Sequence, residues 1–66
     1  MPDDIRSLVL AMVDHSLEPV KCSDVAFALF HAHSIDHGQT AGTIAQLAKE
    51  EIVVVVGEAM HRKKTN

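Results

Sequence analysis

Apolar residues near the N-terminus recur with the spacing of a helix. In DDIRSLVLAMVDHSL, positions i, i+3, i+4 and i+7 are apolar, which places them on one side of a helix. These positions are Ile5, Leu8, Val9 and Met12. Asp3 and Asp4 suit the positive N-terminal end of this helix. Glu18–Pro19 is predicted to end it, because a residue before proline avoids helical dihedral angles.

A second apolar stripe lies beside the first and widens the apolar arc of this helix. It consists of Leu10, Val13 and Leu17, and a small core does not need it. Phe27 likewise lies off the main apolar side of the next helix. We interpret these four side chains as a candidate contact with a second copy or another protein. The simpler alternative for Phe27 is a place at the edge of the core.

A second helix is predicted in the middle of the chain. Val20–Lys21 is typical of a short extended segment, and Ser23 is a suitable N-cap for the helix that follows it. The inner side of this helix contains Val25, Leu29 and Ala32, with Ala26 and Phe30 beside them. The helix is expected to end near His33 or Ser34.

A third helix is predicted at about residues 37–50. Asp36 and Gln39 have the spacing of a capping box, although that motif prefers serine or threonine at its first position. The inner side is predicted to contain Ala41, Ile44, Leu47 and Ala48. The outer side is polar and nearly uncharged, and it contains Gln39, Gly42, Thr43 and Gln46, with Lys49 or Glu50 at its end.

The last third of the chain predicts a β-hairpin. Five consecutive β-branched residues, Ile52 to Val56, favour an extended chain, and Gly57–Glu58 can turn it into AMHRKK as a second strand. The IVVVV segment is prone to aggregation unless its edges are covered. We therefore expect it to pair both with the returning strand and with the strand around Val20.

Length and composition favour one globular domain spanning residues 1–66, and the order of the predicted elements makes it an α+β domain. A chain this short buries only about 60% of the surface that it exposes when unfolded, so a partner such as a second copy would add needed stability. The single cysteine and the absence of a leader-like segment suggest a reducing cytoplasm. The longest apolar run is far shorter than the roughly 20 residues that cross a bilayer, so a soluble protein is expected.

The order of the predicted elements resembles the winged helix-turn-helix superfamily of DNA-binding domains. PVKCSDVAFALF is similar to the strand and second helix of that fold, SIDHGQTAGTIAQLAKE to its turn and recognition helix, and EIVVVVGEAMHRKK to its wing hairpin. The resemblance covers about residues 19–64 and is one of pattern. It implies three helices, a short strand and a C-terminal β-hairpin wing.

This resemblance implies a small transcriptional regulator that binds double-stranded DNA. The small core and the second apolar stripe favour a homodimer, and no cofactor is expected. The recognition helix would enter the major groove, and the wing would meet phosphates or the minor groove. The residues facing base edges would be Gln39, Thr43 and Gln46, because glutamine can bond adenine and a threonine methyl can pack on thymine. Arg62, Lys63 and Lys64 would contact the DNA backbone.

The charge distribution leaves a second function open. Net charge is −3, with −6 on residues 1–61 and +3 on Arg62–Lys64. Phosphate contacts supply most non-specific affinity, so a monomer is expected to bind DNA weakly. The alternative is a winged-helix-shaped adaptor or inhibitor that binds another protein, which the acidic balance and the broad apolar arc would explain.

Gly42 is costly inside a helix, by about 0.8–1.0 kcal/mol relative to alanine. A side chain at this position would block the close approach of a partner's backbone, which is one explanation for glycine. The alternative explanations are that glycine is merely tolerated at this position or that Gly42 packs against another helix.

Metal binding and catalysis are not predicted. The residues with metal-binding chemistry are Cys22, His31, His33 and His37, and their spacing does not bring them together. Cys22 lies at a predicted helix N-terminus, which favours thiolate, but no second cysteine is present to resolve an oxidised one. The sequence has no glycine-rich phosphate loop, nucleophile elbow or paired acid and base, so we expect no enzyme.

Overall fold

The computed structural model of the chain describes residues 4–64 as three helices and a three-stranded antiparallel sheet. The elements are α1 (Ile5–Asp14), β1 (Val20–Lys21), α2 (Cys22–His33), α3 (His37–Lys49), β2 (Val53–Val56) and β3 (Ala59–Arg62). This arrangement confirms the predicted α+β class, the short strand and the C-terminal hairpin. Asp3, predicted beside Asp4 at the start of α1, lies outside the described residues.

Helix α1 begins at a capping aspartate and ends earlier than predicted. The Asp4 side chain accepts a hydrogen bond from the Ser7 amide at 2.8 Å. At the other end, His15 Nδ1 donates to the Ala11 carbonyl oxygen (2.8 Å), and the chain leaves the helix there. The prediction that Glu18–Pro19 ends the helix is therefore wrong. Leu17 lies in the loop after α1, not on its surface stripe.

Helix α2 starts directly after β1, so Ser23 is not its cap. The extended N-cap residue is Lys21, which makes no side-chain capping bond. The Cys22 amide instead donates to the Glu58 carbonyl oxygen at 2.8 Å, since β1 pairs with β3 up to this point. The helix ends at His33, as predicted, with Ser34 in the left-handed region at φ 56°.

Helix α3 lies where it was predicted, but one of the residues on its buried side differs from the prediction. Asp36 caps it by accepting from the Gly38 amide at 2.9 Å, with no bond between Asp36 and Gln39 recorded in residues 4–64. Thr40 is fully buried, whereas Ala41, predicted on the inner side, is exposed. Ile44 and Leu47 are buried and Ala48 is half-buried, as predicted, so the inner side differs from the prediction by having Thr40 in place of Ala41.

The sheet has the strand order β1-β3-β2, which places β3 in the centre and β2 at an edge. Met60 pairs with Val20 on one side and with Val55 on the other. The prediction that β2 would also pair with the strand around Val20 is therefore wrong. The two-residue β1 occupies the far side of β3 instead.

One core lies between the helices and the inner face of the sheet. Its buried hydrophobic residues are Val9, Val13, Val25, Leu29, Ile44, Leu47, Val53 and Met60. Val13, predicted as part of the surplus stripe, is only 5% exposed and belongs to this core. Leu10 is half-buried and packs against the same cluster. Two of the three residues of the second apolar stripe therefore pack inside the chain.

Candidate nucleic-acid interface

The outer side of α3 brings together the side chains predicted to face DNA. Gln39 and Gln46 are exposed, and Thr43 between them is half-buried. The Thr43 hydroxyl donates to the Gln39 carbonyl oxygen at 2.9 Å, so this hydroxyl is already used inside the helix. The side-chain amides of Gln39 and Gln46 are therefore the polar groups that this part of α3 can present to a base edge.

The same side of α3 is shallow around Gly42. A Cβ built on Gly42 would meet no atom within 4 Å, so within the described residues Gly42 does not pack against another helix. Its neighbours at helical spacing, Gly38 and Ala45, are also small and exposed, as is the adjacent Ala41. Of the explanations for Gly42, simple tolerance and close approach of a partner remain.

Gln46 is part of a polar network that links α3 to α1. Its Nε2 donates to Glu50 Oε2 at 2.8 Å. The Arg6 guanidinium donates to both oxygens of Glu50, at 2.9 and 3.2 Å. The hydrogen bond from Arg6, with a smaller contribution from Gln46, lowers the pKa of the Glu50 carboxyl below its ordinary value. Gln46 must leave Glu50, or share its amide, before it can bond a base.

Two of the three cations at the C-terminal end are paired with carboxylates. Arg62 Nε lies 3.1 Å from Asp14 Oδ1, and the Lys63 ammonium bonds Glu51. All four side chains of these pairs are at least two-fifths exposed. Each pair therefore contributes little to the stability of the fold. Within residues 4–64, no carboxylate pairs with Lys64.

These cations lie at the base of the hairpin rather than at its turn. Arg62 pairs with Val53, the pair farthest from the Gly57–Glu58 turn. At about 3.3 Å per residue, Arg62 is roughly 10 Å along β3 from the turn. The turn itself presents Val56 and Glu58, an apolar and an acidic side chain.

An open depression lies beside the cationic end of β3. It has a volume of about 770 Å³, and its lining includes Leu17, Pro19 and the cations Arg62, Lys63 and Lys64. Asp14 and Glu18 line it as well, so its charge is mixed. Leu17 is fully exposed at this depression.

The four predicted contact residues for a partner do not form one surface. Val13 is in the core and Leu10 packs against it, while Leu17 lies in the α1–β1 loop. Phe27 is 60% exposed on α2. Leu17 and Phe27 therefore remain as broadly exposed apolar side chains, each on a separate segment.

Phe27 is part of an aromatic and histidine cluster that sequence reasoning missed. The rings of Phe27 and His31 are 4.2 Å apart, and Phe30 contacts both His31 and His37 edge-on at 5.5 and 5.1 Å. The i, i+4 spacing of Phe27 and His31 is the signal that indicates the first contact. The cluster forms an exposed surface that extends from α2 to the start of α3.

The described residues offer no alternative chemistry of the metal or thiol type. In residues 4–64, no three histidine, cysteine or acidic side chains are grouped so that they could hold a metal ion. Cys22 is half-buried, and this burial raises the pKa of its thiol, which opposes the thiolate that a redox role needs. No helix in the same part of the chain is long and apolar enough to span a membrane.

Comparisons of this chain with protein-family models, with curated proteins and with solved structures find no match.

Proposed function

We propose that this chain is a small winged helix-turn-helix protein that binds double-stranded DNA and regulates transcription in the cytoplasm. The element order and the central position of β3 between β1 and β2 are compatible with that layout. A three-residue turn, Ser34–Asp36, joins α2 to α3, as in helix-turn-helix motifs. The observation that carries the proposal is the exposed, uncharged side of α3, where Gln39 and Gln46 flank Gly42.

In this proposal α3 enters the major groove and the amides of Gln39 and Gln46 bond base edges. The shallow surface at Gly42 lets the helix backbone come close to the bases. The Thr43 methyl group contributes an apolar contact, because its hydroxyl is bonded within the helix.

Arg62, Lys63 and Lys64 supply phosphate contacts at the base of the hairpin. To do so, Arg62 exchanges Asp14 for phosphate, and Lys63 exchanges Glu51. Ion pairs this exposed contribute little to stability, so little free energy is lost when phosphate replaces the carboxylates. The remaining acidic surface keeps affinity low and strongly dependent on salt.

A salt-dependent titration of the protein with fluorescent duplex DNA tests the proposal. We expect measurable binding at low salt that weakens steeply as salt rises. Lys64→Ala should lower the salt slope by about one, whereas Lys21→Ala, the matched loss of one charge on β1, should leave it unchanged. Absence of binding to random or A/T-rich duplex at low salt would reject DNA binding.

The second candidate is an adaptor or inhibitor that binds another protein. Two observations favour it: Arg62 and Lys63 are already paired with carboxylates, and the Phe27, Phe30, His31 and His37 cluster is exposed. Under this alternative, Phe27→Ala abolishes the cellular function while Lys63→Ala and Lys64→Ala leave it intact. The reverse pattern supports DNA binding.

A further inference from the structure

Strand β2 has one side paired with β3 and one side open. In an antiparallel ladder, residues alternate between those bonded to the neighbouring strand and those turned away from it. Val56 and Ala59 close the two-residue turn, and the Lys63 amide donates to the Ile52 carbonyl oxygen at 3.0 Å. Residues 52, 54 and 56 therefore bond β3, and Val53 and Val55 direct their N–H and C=O groups outward.

The two edges of the sheet differ in how they are protected. The β1 edge is two residues long, follows Pro19 and carries Lys21, all features that discourage strand addition. The β2 edge is four consecutive valines, and the segment Ile52–Gly57 contains no charge and no proline. Within residues 4–64, β2 is thus the unprotected edge.

An open depression of about 390 Å³ lies beside β2 and is lined by Ala48, Glu51, Lys63 and the segment Val53–Val55. Val55 and Val56 are 38% and 66% exposed. Among the described residues, α3 therefore borders this edge without covering it.

We propose that the β2 edge binds the β2 edge of a second copy, joining two three-stranded sheets into one six-stranded antiparallel sheet. The two-fold axis passes beside Val54. In this register Val53 lies opposite Val55 of the second copy, and the four outward N–H and C=O groups of each chain make four hydrogen bonds in total. The contact is self-complementary, and it closes at two chains because each contributes one open edge.

The side chains fit the same register. Val54 lies opposite Val54 of the second chain, and Ile52 lies opposite Val56 of the second chain, which are favourable β-branched pairs. A shift of one residue would place Val53 opposite Val54 or Val56 of the second chain, whose N–H and C=O groups already bond β3, so the alternative registers are disfavoured. This inference does not depend on DNA binding.

Amide hydrogen exchange measured by NMR over a dilution series tests the proposal on the unmodified chain, alongside sedimentation equilibrium. We expect a dimer whose Val53 and Val55 amides become at least tenfold better protected as concentration rises from micromolar to millimolar. The amides of Val54 and Val56 should be protected at every concentration, because they bond β3. A monomer at millimolar concentration overturns the proposal, as does a dimer in which Val53 and Val55 exchange freely.

A pair of charge-introducing variants locates the contact. Val55→Lys should weaken dimerisation at least tenfold, and Phe27→Lys, which adds the same charge to the exposed cluster on α2, should leave it unchanged. Dimerisation that is lost in Phe27→Lys and kept in Val55→Lys would overturn the proposal, and so would assembly beyond two chains. If Val55→Lys fails to fold, the exchange pattern of the unmodified chain decides.

Discussion

Arg62 and Asp14 join the last strand of the sheet to the last residue of α1, with 3.1 Å between Nε and Oδ1. Asp14 lies at the negative C-terminal end of its helix, where a carboxylate is unfavourable, so Arg62 offsets a local repulsion. The same contact removes one of three cations from the surface proposed to meet phosphate. If the protein binds DNA as proposed, stability and DNA binding therefore compete for one guanidinium.

Asp14→Asn should strengthen binding to duplex DNA, because it releases Arg62 for a phosphate. The expected gain is several-fold at low salt, and it should disappear at high salt. The free energy of unfolding should change by less than about 1 kcal/mol, since the pair is half exposed. Asp24→Asn on α2 removes the same charge away from Arg62 and is the control in the same titration. Equal gains in both variants would mean that net charge alone matters.

Acid should destabilise the chain partly through Glu50. Arg6 and then Gln46 hold the pKa of this carboxyl below its ordinary value of 4.5, and Lys63 has the same effect on the pKa of Glu51. A folded-state pKa below that of the unfolded chain gives stability that is fully present above the unfolded value and is lost as pH falls through the folded one.

Chemical unfolding at a series of pH values below about 5 should therefore show a smaller loss of stability in Glu50→Gln than in the unmodified chain. Glu18→Gln removes an equivalent charge from the α1–β1 loop and should keep the slope of the unmodified chain. Identical slopes in all three proteins would show that the Arg6 contact does not persist in solution.

Local pattern predicted most of the elements, and contacts between distant residues account for what it missed. The spacing of Val25 and Leu29, and of Ile44 and Leu47, correctly indicated buried positions on α2 and α3. Ala32 and Ala41, predicted on the same inner sides, are exposed. The strand order was beyond such reasoning, because pairing of Val20 with Met60 rather than with β2 depends on the path of the chain in space.

The candidate interface was predictable to the same extent. Exposure of Gln39 and Gln46 follows from helical periodicity. The hydrogen bonds that join Gln46 to Glu50 and Glu50 to Arg6 do not follow from periodicity, since Arg6 and Glu50 are 44 positions apart. The pairing of Arg62 with Asp14 was likewise invisible to a count of charges along the chain.

Thr40 provides a test of the core. Its hydroxyl is buried and has no hydrogen-bond partner among residues 4–64, which costs roughly 1–3 kcal/mol when the group cannot reach water. Thr40→Val replaces the hydroxyl by a methyl group of similar size, so the free energy of unfolding should rise by about 1 kcal/mol in urea titrations. Thr40→Ser keeps the hydroxyl, removes the methyl group and should destabilise the chain. A less stable Thr40→Val protein would mean that the hydroxyl is bonded in solution.

Gly42 and Gly57 allow a matched comparison, because a Cβ at either position would meet no atom of residues 4–64 within 4 Å. Gly42 is in the middle of α3, where alanine is favoured by about 0.8–1.0 kcal/mol, so Gly42→Ala should stabilise the chain by that amount. Gly57 has φ of 64° in the hairpin turn, so Gly57→Ala should instead cost about 1–2 kcal/mol. Urea unfolding measures both.

The decisive measurement is DNA affinity of the Gly42→Ala protein, because its fold should be more stable than that of the unmodified chain. If α3 lies against the bases, the added methyl group should weaken binding severalfold despite the gain in stability. Ala45→Gly, one turn further along the same exposed side, removes a methyl group and should lower stability without weakening binding through steric contact. Unchanged affinity in Gly42→Ala would show that the glycine is merely tolerated and that α3 does not approach DNA at this point.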